Sequence, residues 1–170
     1  YSPSGMTVGG EFRVNTTTGQ NQRNPAVAMD AAGNAVVVWE SFNQPGGAGY
    51  DVYFQRYDPA GLPIGVETRA NAETSAQQVN PAVAVDNDGD FVIAWDGFVM
   101  TGSLFGLSAQ RFDSSGTPDG VPIIVSFGVA NTALPSLAMD DAGNFAIAWQ
   151  NFGIDGFAEG VYARRYSELG

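Results

Sequence analysis

The chain of 170 residues is 44% hydrophobic and 15% charged, contains 22 glycines and 9 prolines, and carries a net charge of −11. Its length allows one domain with a core, its composition excludes a disordered chain, and its acidity argues against a nucleic-acid partner. Cysteine, histidine and lysine are absent, which excludes serine–histidine and cysteine nucleophiles, Schiff-base chemistry, and zinc, iron or copper sites with histidine or thiolate ligands. No apolar run approaches the roughly 18 residues of a membrane span, so we expect none.

The first long stretch of patterned sequence predicts four β-strands. Alternating small and large apolar residues form the first strand, and a turn in which Gly33 supplies a positive φ leads to the second. The second is a continuous apolar run ending at Trp39, which is typical of a strand buried on both faces. Helical periodicity is missing throughout, so the predicted fold is all-β. The four strands are expected at residues 25–30, 34–39, 52–57 and 65–71.

The same pattern recurs twice more in constant register. Trp39 aligns with Trp95 and Trp149 at offsets of 56 and 54 residues, and the flanking motifs recur at offsets of 54 to 56 residues. Four antiparallel strands at this period predict a β-propeller-like blade, so we expect three such repeats. A closed three-fold trefoil or prism is the alternative. The single domain, residues 1–170, divides into repeats at about 16–71, 72–126 and 127–170.

The repeat also carries a family resemblance. Residues 25–39 read Pro-x-x-Ala-x-Asp-x-x-Gly-Asn-x-x-x-x-Trp, and residues 50–61 read Tyr-x-x-Tyr-x-Gln-Arg-Tyr-Asp-x-x-Gly. This pattern resembles the repeats of large secreted bacterial surface proteins, and its first half resembles NHL-type propeller blades. The resemblance covers nearly the whole chain. It implies secretion to the extracellular surface and an array that stands beside cadherin-like and calcium-binding modules, and it implies no particular activity.

The N-terminal residues align with a fourth strand rather than with a first. Residues 5–15 match residues 61–71 at an offset of 56, whereas the last repeat stops before its own fourth strand. We therefore predict that this N-terminal strand completes the last repeat, either within the chain or in a neighbouring copy. A third interpretation is that the chain, which begins with Tyr1, is a piece excised from a longer array. The self-association residues would be Glu11, Phe12, Arg13, Val14 and Asn15.

One turn resembles a calcium loop. Asp86, Asp88 and Asp90 place carboxylates at alternate positions around a glycine, as calcium-binding loops do. The equivalent turns of the other repeats lack the middle carboxylate, and no glutamate follows at the spacing of a bidentate ligand. We therefore favour a hairpin turn stabilised by aspartate and glycine, with calcium as the one cofactor to consider.

Aromatic residues between the second and third strands are the candidate ligand-binding residues. These connections differ between the repeats, and variable loops on a rigid scaffold commonly carry recognition. The three tryptophans end apolar strands in the same register, so we interpret them as packing anchors between neighbouring repeats. The candidate residues for a glycan or another surface ligand are Phe42, Tyr50, Phe98, Phe105, Phe152 and Phe157.

Two further sets of polar residues recur in register. Arg56, Arg111 and Arg165 could form an anion site, but their repetition favours bonds with acidic side chains or strand-end carbonyls of their own repeat. Residues Glu40, Asp96 and Gln150 follow the three tryptophans. A carboxylate-pair glycosidase would need such acids, yet their shared register makes capping roles the expected ones.

These patterns predict a secreted structural or adhesive module without catalytic activity. Its expected partner is a further copy of the chain, in a homo-oligomer or polymer built by exchange of terminal strands into a filament or ring. The alternative is a module that binds carbohydrate or another surface ligand through its loop aromatics.

Overall fold

The computed structural model describes residues 7, 9–99, 104–127, 133–152 and 159–168, without the side chains of 104, 133 and 152. Over these residues the chain is all-β, as predicted, and it contains no helix that could span a membrane. The strands are β1 (Gln22–Met29), β2 (Ala35–Phe42), β3 (Tyr50–Tyr57), β4 (Pro63–Arg69), β5 (Gln78–Val85), β6 (Phe91–Val99), β7 (Leu104–Phe112), β8 (Pro118–Phe127), β9 (Ala133–Met139), β10 (Phe145–Phe152) and β11 (Glu159–Tyr166).

The strands form three antiparallel sheets, each built from strands consecutive in sequence. The first sheet is β1-β2-β3-β4, the second is β5-β6-β7-β8, and the third is β9-β10-β11. The predicted four strands are therefore present in the first two sheets, whereas the third has three among the described residues. The sheets do not close on one another over the described ranges, unlike the trefoil or prism.

A repeated turn fixes the register of the first two strands in each sheet. In the first sheet the carboxylate of Asp30 accepts the backbone N–H of Asn34 at 2.8 Å and its side-chain amide at 2.7 Å. Gly33 has a φ of 91°, a backbone angle that residues other than glycine rarely adopt. The turns that begin at Asp86 and Asp140 repeat these bonds to the backbone N–H four residues on. The motif Asp-x-x-Gly is thus explained by local hydrogen bonding.

The core lies between the sheets. One buried cluster joins the first and second sheets and includes the rings of Phe54, Phe91 and Phe112, whose centroids are 4.9 to 5.3 Å apart. A second cluster joins the second and third sheets and includes Ile147. Trp95 and Trp149 belong to these clusters, which confirms their predicted role as packing anchors.

Candidate functional site

The buried carboxylate of Glu40 lies at the joint between the first and second sheets. Its Oε1 atom accepts the side-chain amide of Asn24 at 2.6 Å and the backbone N–H of Asn80, in the next sheet, at 2.8 Å. The guanidinium of Arg23 lies 2.7 Å from Oε2. Because its hydrogen-bond donors come from two sheets, the acid ties the sheets together and satisfies a backbone N–H that packing would otherwise leave unpaired.

Asp96 repeats this arrangement between the second and third sheets. Its Oδ2 atom accepts the side-chain amide of Asn80 at 3.0 Å, and the backbone N–H of Leu134 bonds to the same carboxylate. Burial raises the pKa of Asp96 to about 7, the two hydrogen bonds oppose that rise, and the nearby charge of Glu40 adds to it. The expected capping role of Glu40 and Asp96 thus has a specific form, a bond from each acid to the following sheet.

The asparagines of this joint are the functional residues that sequence reasoning missed. Asn24 and Asn80 have φ angles of 50° and 53°, at a shift in strand register that points each side chain at the acid of its own sheet. The third repeat has Leu134 where the others have asparagine and Gln150 where they have an acid. This paired change is the signal that could have revealed the contact.

Two of the repeated arginines form a second bond across each joint. Arg56 donates to the backbone carbonyl of Ser114 in the second sheet, and Arg111 donates to that of Ser167, beyond β11, at 3.3 Å. These carbonyls belong to the following repeat and not, as predicted, to the arginine's own repeat. Arg111 also lies 3.6 Å from the carboxylate of Asp119 on β8, so the predicted acidic partner in the same repeat is present there. Arg165 occupies the equivalent place on β11 and is exposed.

Two of the three carboxylates of the predicted calcium loop accept backbone hydrogen bonds. Oδ1 of Asp86 accepts the backbone N–H groups of Asp88 and Asp90, each at 3.0 Å, and Oδ1 of Asp90 accepts that of Ser114 at 2.7 Å. Burial raises the pKa of Asp86, against the pull of these hydrogen bonds. No group of three or more potential ligands suited to a metal occurs among the described residues. Calcium binding by this loop stays a prediction.

The candidate aromatic residues lie at strand ends and face each other in pairs. The Phe42 and Tyr50 rings are 4.9 Å apart across β2 and β3, and the Phe98 and Phe105 rings are 5.6 Å apart across β6 and β7. All four are half-buried. Each pair therefore closes the end of a hairpin that is longer than the sequence predicted. The side chain of Phe152 and the whole of Phe157 lie outside the described residues.

Residues 9–21, here called the leading segment, lie against the first sheet and form no strand. Thr16 donates to Oε2 of Glu67 from its backbone N–H at 2.6 Å and from its hydroxyl at 2.7 Å. Burial opposes ionisation of Glu67, but these bonds and those from Gln44 and Thr17 hold its pKa below the ordinary value. The predicted strand residues Glu11 to Asn15 belong to this segment, and in its described part they pair with no strand of the third sheet.

The leading segment lies on the first sheet in a place comparable to that of Ala70, just after β4, on the second. The ring of Phe12 packs on Tyr57 with centroids 5.2 Å apart, and the equivalent Phe112 instead receives Phe54 of β3 at 5.0 Å. The hydroxyl of Tyr57 donates to the carbonyl of Val14 at 3.4 Å. Val14 aligns with residue 70, which belongs to the buried cluster between the first two sheets. The segment thus occupies the place of the end of a fourth strand from a preceding sheet.

The last sheet has an exposed face where the first two sheets have a buried one. This face, here called the open face, consists of five residues at register positions that are buried or packed in the other sheets. Ala146 and Ala148 are half-buried, whereas Val161 is 85% exposed. The open face comprises Ala146, Ala148, Val161, Ala163 and Arg165.

Comparison with known proteins relates this geometry to one fold. No protein-family model and no curated relative match the sequence. An endo-arabinase from Bacteroides thetaiotaomicron is similar in structure at 14% identity with a TM-score of 0.57, and a GH43 endo-arabinanase from Bacillus licheniformis at 15% identity with a TM-score of 0.50. The likeness covers 89% and 85% of this chain but only 58% and 51% of the two enzymes. The chain therefore spans just over half the length of these enzymes.

The comparison supports the predicted architecture in outline. The two enzymes are β-propellers of five blades, so the three sheets resemble consecutive blades of an open propeller. It also corrects one prediction, because we had expected a chain without catalytic activity and both similar structures are glycoside hydrolases. At 14% and 15% identity the likeness shows the fold alone.

Proposed function

We propose that the chain is a propeller-like repeat module of an extracellular surface, and that its copies associate head to tail. In this proposal the leading segment of one copy supplies the fourth strand of the third sheet in another. The observation that carries the proposal is the position of the leading segment, which lies where a preceding fourth strand would end. Residues past the third strand of the last sheet, β11, pair with no strand in the described part of the chain.

The physical reason for association is the edge of β11. An edge strand presents unpaired backbone N–H and C=O groups, and a strand from another chain can satisfy them. The third and fourth strands of the first sheet pair Tyr53 with Arg69 and Phe54 with Thr68. Transferred by repeat alignment, this register places Arg13 opposite Tyr162 of the other copy. A head-to-tail contact of this kind builds a filament, or a ring if the rotation closes.

Sedimentation velocity of the 170-residue chain over a range of concentrations tests the proposal. We expect particles that grow with concentration. A peptide of residues 5–20 should shorten them by occupying β11. The same peptide with Val14→Pro should not, because Val14 aligns with Ala70, whose backbone N–H donates to the carbonyl of Val52 at 2.8 Å, and proline lacks that N–H. A chain that stays monomeric at every concentration, or equal effects of the two peptides, would contradict the proposal.

A second candidate function is recognition of a polysaccharide. The fold likeness to two arabinan-degrading enzymes favours it, together with a cavity of about 380 Å³ lined by Trp95, Phe98 and Gln78. Concave, aromatic-lined sites with a few polar groups are typical of small-ligand recognition. Arabinan binding by calorimetry, with release of reducing ends as a second readout, tests this candidate. Phe98→Ala should abolish both signals and Val121→Ala neither, and an absence of both signals in the unaltered chain would exclude arabinan as the ligand.

A further inference from the structure

We infer that the open face of the third sheet forms half of a joint between two copies. The other half is the back of the first sheet in the next copy, which is the face that carries Val27, Met29 and Val37. This inference rests on the proposed head-to-tail association and adds to it a second surface, separate from the edge of β11. It assigns the partner as a second copy of this chain.

The residues of the open face correspond to those that fill the internal joints. In the first sheet this face presents Val36, Val38 and Phe54, which are buried against the second sheet. In the second sheet it presents Val92, Ala94 and Ala109, which are buried against the third. The equivalent positions in the third sheet are Ala146, Ala148 and Ala163, which are half-buried or exposed. Small apolar side chains there leave room for the flat back of another sheet.

The back of the first sheet is incompletely covered in the same way. Val27 and Met29 on β1 are both 64% exposed, whereas their equivalents in the second and third sheets pack into the joints. Val37 is half-buried, although the equivalent Ile93 and Ile147 are inaccessible to solvent. The leading segment contacts the neighbouring Tyr57 but leaves Val27 and Met29 exposed. Two apolar surfaces that are each half of an internal joint therefore remain, one at each end of the stack.

Arg165 is placed to form the bond that the other repeated arginines make. Arg56 and Arg111 each donate to a carbonyl in the turn after the third strand of the next repeat. The equivalent turn of a following copy begins at Asp58, whose carboxylate already holds the turn through the N–H groups of Ala60 and Leu62. By equivalence with these two bonds, Arg165 would donate to the carbonyl of Asp58 or of Pro59 in the next copy.

Gln150, next to the open face, also suits a joint that forms between separate chains. Glu40 and Asp96 accept a backbone N–H from the next sheet, and Gln150 stands at the equivalent place with a neutral amide oxygen. Burying a charge on association costs far more than burying an amide that finds a partner. Gln150 can accept the backbone N–H of Asn24 in the next copy without that cost.

Cross-linking gives a direct test, because the chain has no cysteine of its own. Treatment of the Ala148→Cys, Val37→Cys double variant with a short bismaleimide should give a ladder of dimers, trimers and larger species. The matched control, Ala148→Cys with Val121→Cys, places the second thiol on the exposed outer strand β8 and should give no ladder. Dimers from Ala148→Cys alone would show face-to-face pairing and would overturn the inference, as would equal ladders from both double variants.

Two substitutions separate this inference from the association itself. Ala148→Trp should abolish the growth of particles in sedimentation, and Arg165→Ala should weaken association about tenfold through loss of a hydrogen bond from a charged donor. Val121→Trp is the control and should change neither, and circular dichroism melts should show that all three variants fold. If the unaltered chain never associates, the proposed function is wrong. If it associates and Ala148→Trp leaves that association unchanged, this inference alone is wrong.

Discussion

The two internal joints share their geometry but differ in chemistry. Between the first and second sheets, Glu40 has a cation, Arg23, and the same joint contains three phenylalanine rings packed on one another. Between the second and third sheets, Asp96 has no cation among the described residues, and alanines replace the larger side chains on one side. The buried acid therefore has the same position in both joints, whereas only the acid of the first joint is paired with a cation among the described residues.

The largest expected difference between the joints concerns their aromatic cores. Phe91 contacts rings on both sides, whereas the equivalent Phe145 stacks on Tyr166 of its own sheet with centroids 4.7 Å apart. Phe91→Ala should lower the free energy of unfolding by about 3–5 kcal/mol, and Phe145→Ala should cost less because fewer contacts are lost. Urea denaturation measures both, with Val121→Ala as the exposed control. Equal losses from the two substitutions would contradict the comparison.

The next expected effect is a pH dependence carried by the second joint. Burial raises the pKa of Asp96 from 3.8 to about 7, so between these values the folded chain keeps a proton that the unfolded chain releases. The contribution of protonated Asp96 to the unfolding free energy is complete at low pH and is lost as the pH rises through about 7. The unfolding free energy of the unaltered chain, minus that of Asp96→Asn, should therefore fall by about 4 kcal/mol as the pH rises from 3.8 to about 7. A difference that is constant with pH would refute this account.

The smallest expected effects come from exchanging the cation between the joints. Arg23 pairs in register with Glu40, and Val79 holds the equivalent place opposite Asp96. Arg23→Ala should cost only about 1 kcal/mol, because its side chain is 49% exposed and solvent screens the pair. Val79→Arg should supply the missing cation and flatten the pH dependence of the second joint. Denaturation at pH 5 and pH 8, a range chosen from the Asp96 titration, measures both variants; a Val79→Arg chain that keeps the full pH dependence would show that the cation does not govern it.

Local and periodic features of this fold could be predicted from the sequence. The offsets between Trp39, Trp95 and Trp149 locate the sheets, and the Asp-x-x-Gly turns follow from hydrogen bonds within five residues. The strand ends could not be placed, because Glu40 and Ser41 are polar and indicate exposure, although both are buried at the joint. The predicted loop aromatics therefore became strand-end pairs.

Contacts between sheets could not be predicted from the periodicity of the sequence. The bond from Asn80 to Glu40 joins residues 40 positions apart and depends on how two sheets stack. Arg56 bonds across a separation of 58 positions for the same reason. The bond by which Glu67 holds the leading segment through Thr16 was equally unpredictable, since it joins residues 51 positions apart.

Asn80 has a consequence for how such a chain can change its length. Its main-chain N–H bonds back to the preceding sheet, and its side chain bonds within its own sheet. A genetic duplication of either of the first two units between equivalent positions would reproduce both bonds at the new junction, because each of these two units brings an acid and an asparagine at the required places. A chain built in this way can gain such units while the polar groups at each new boundary find partners from the start.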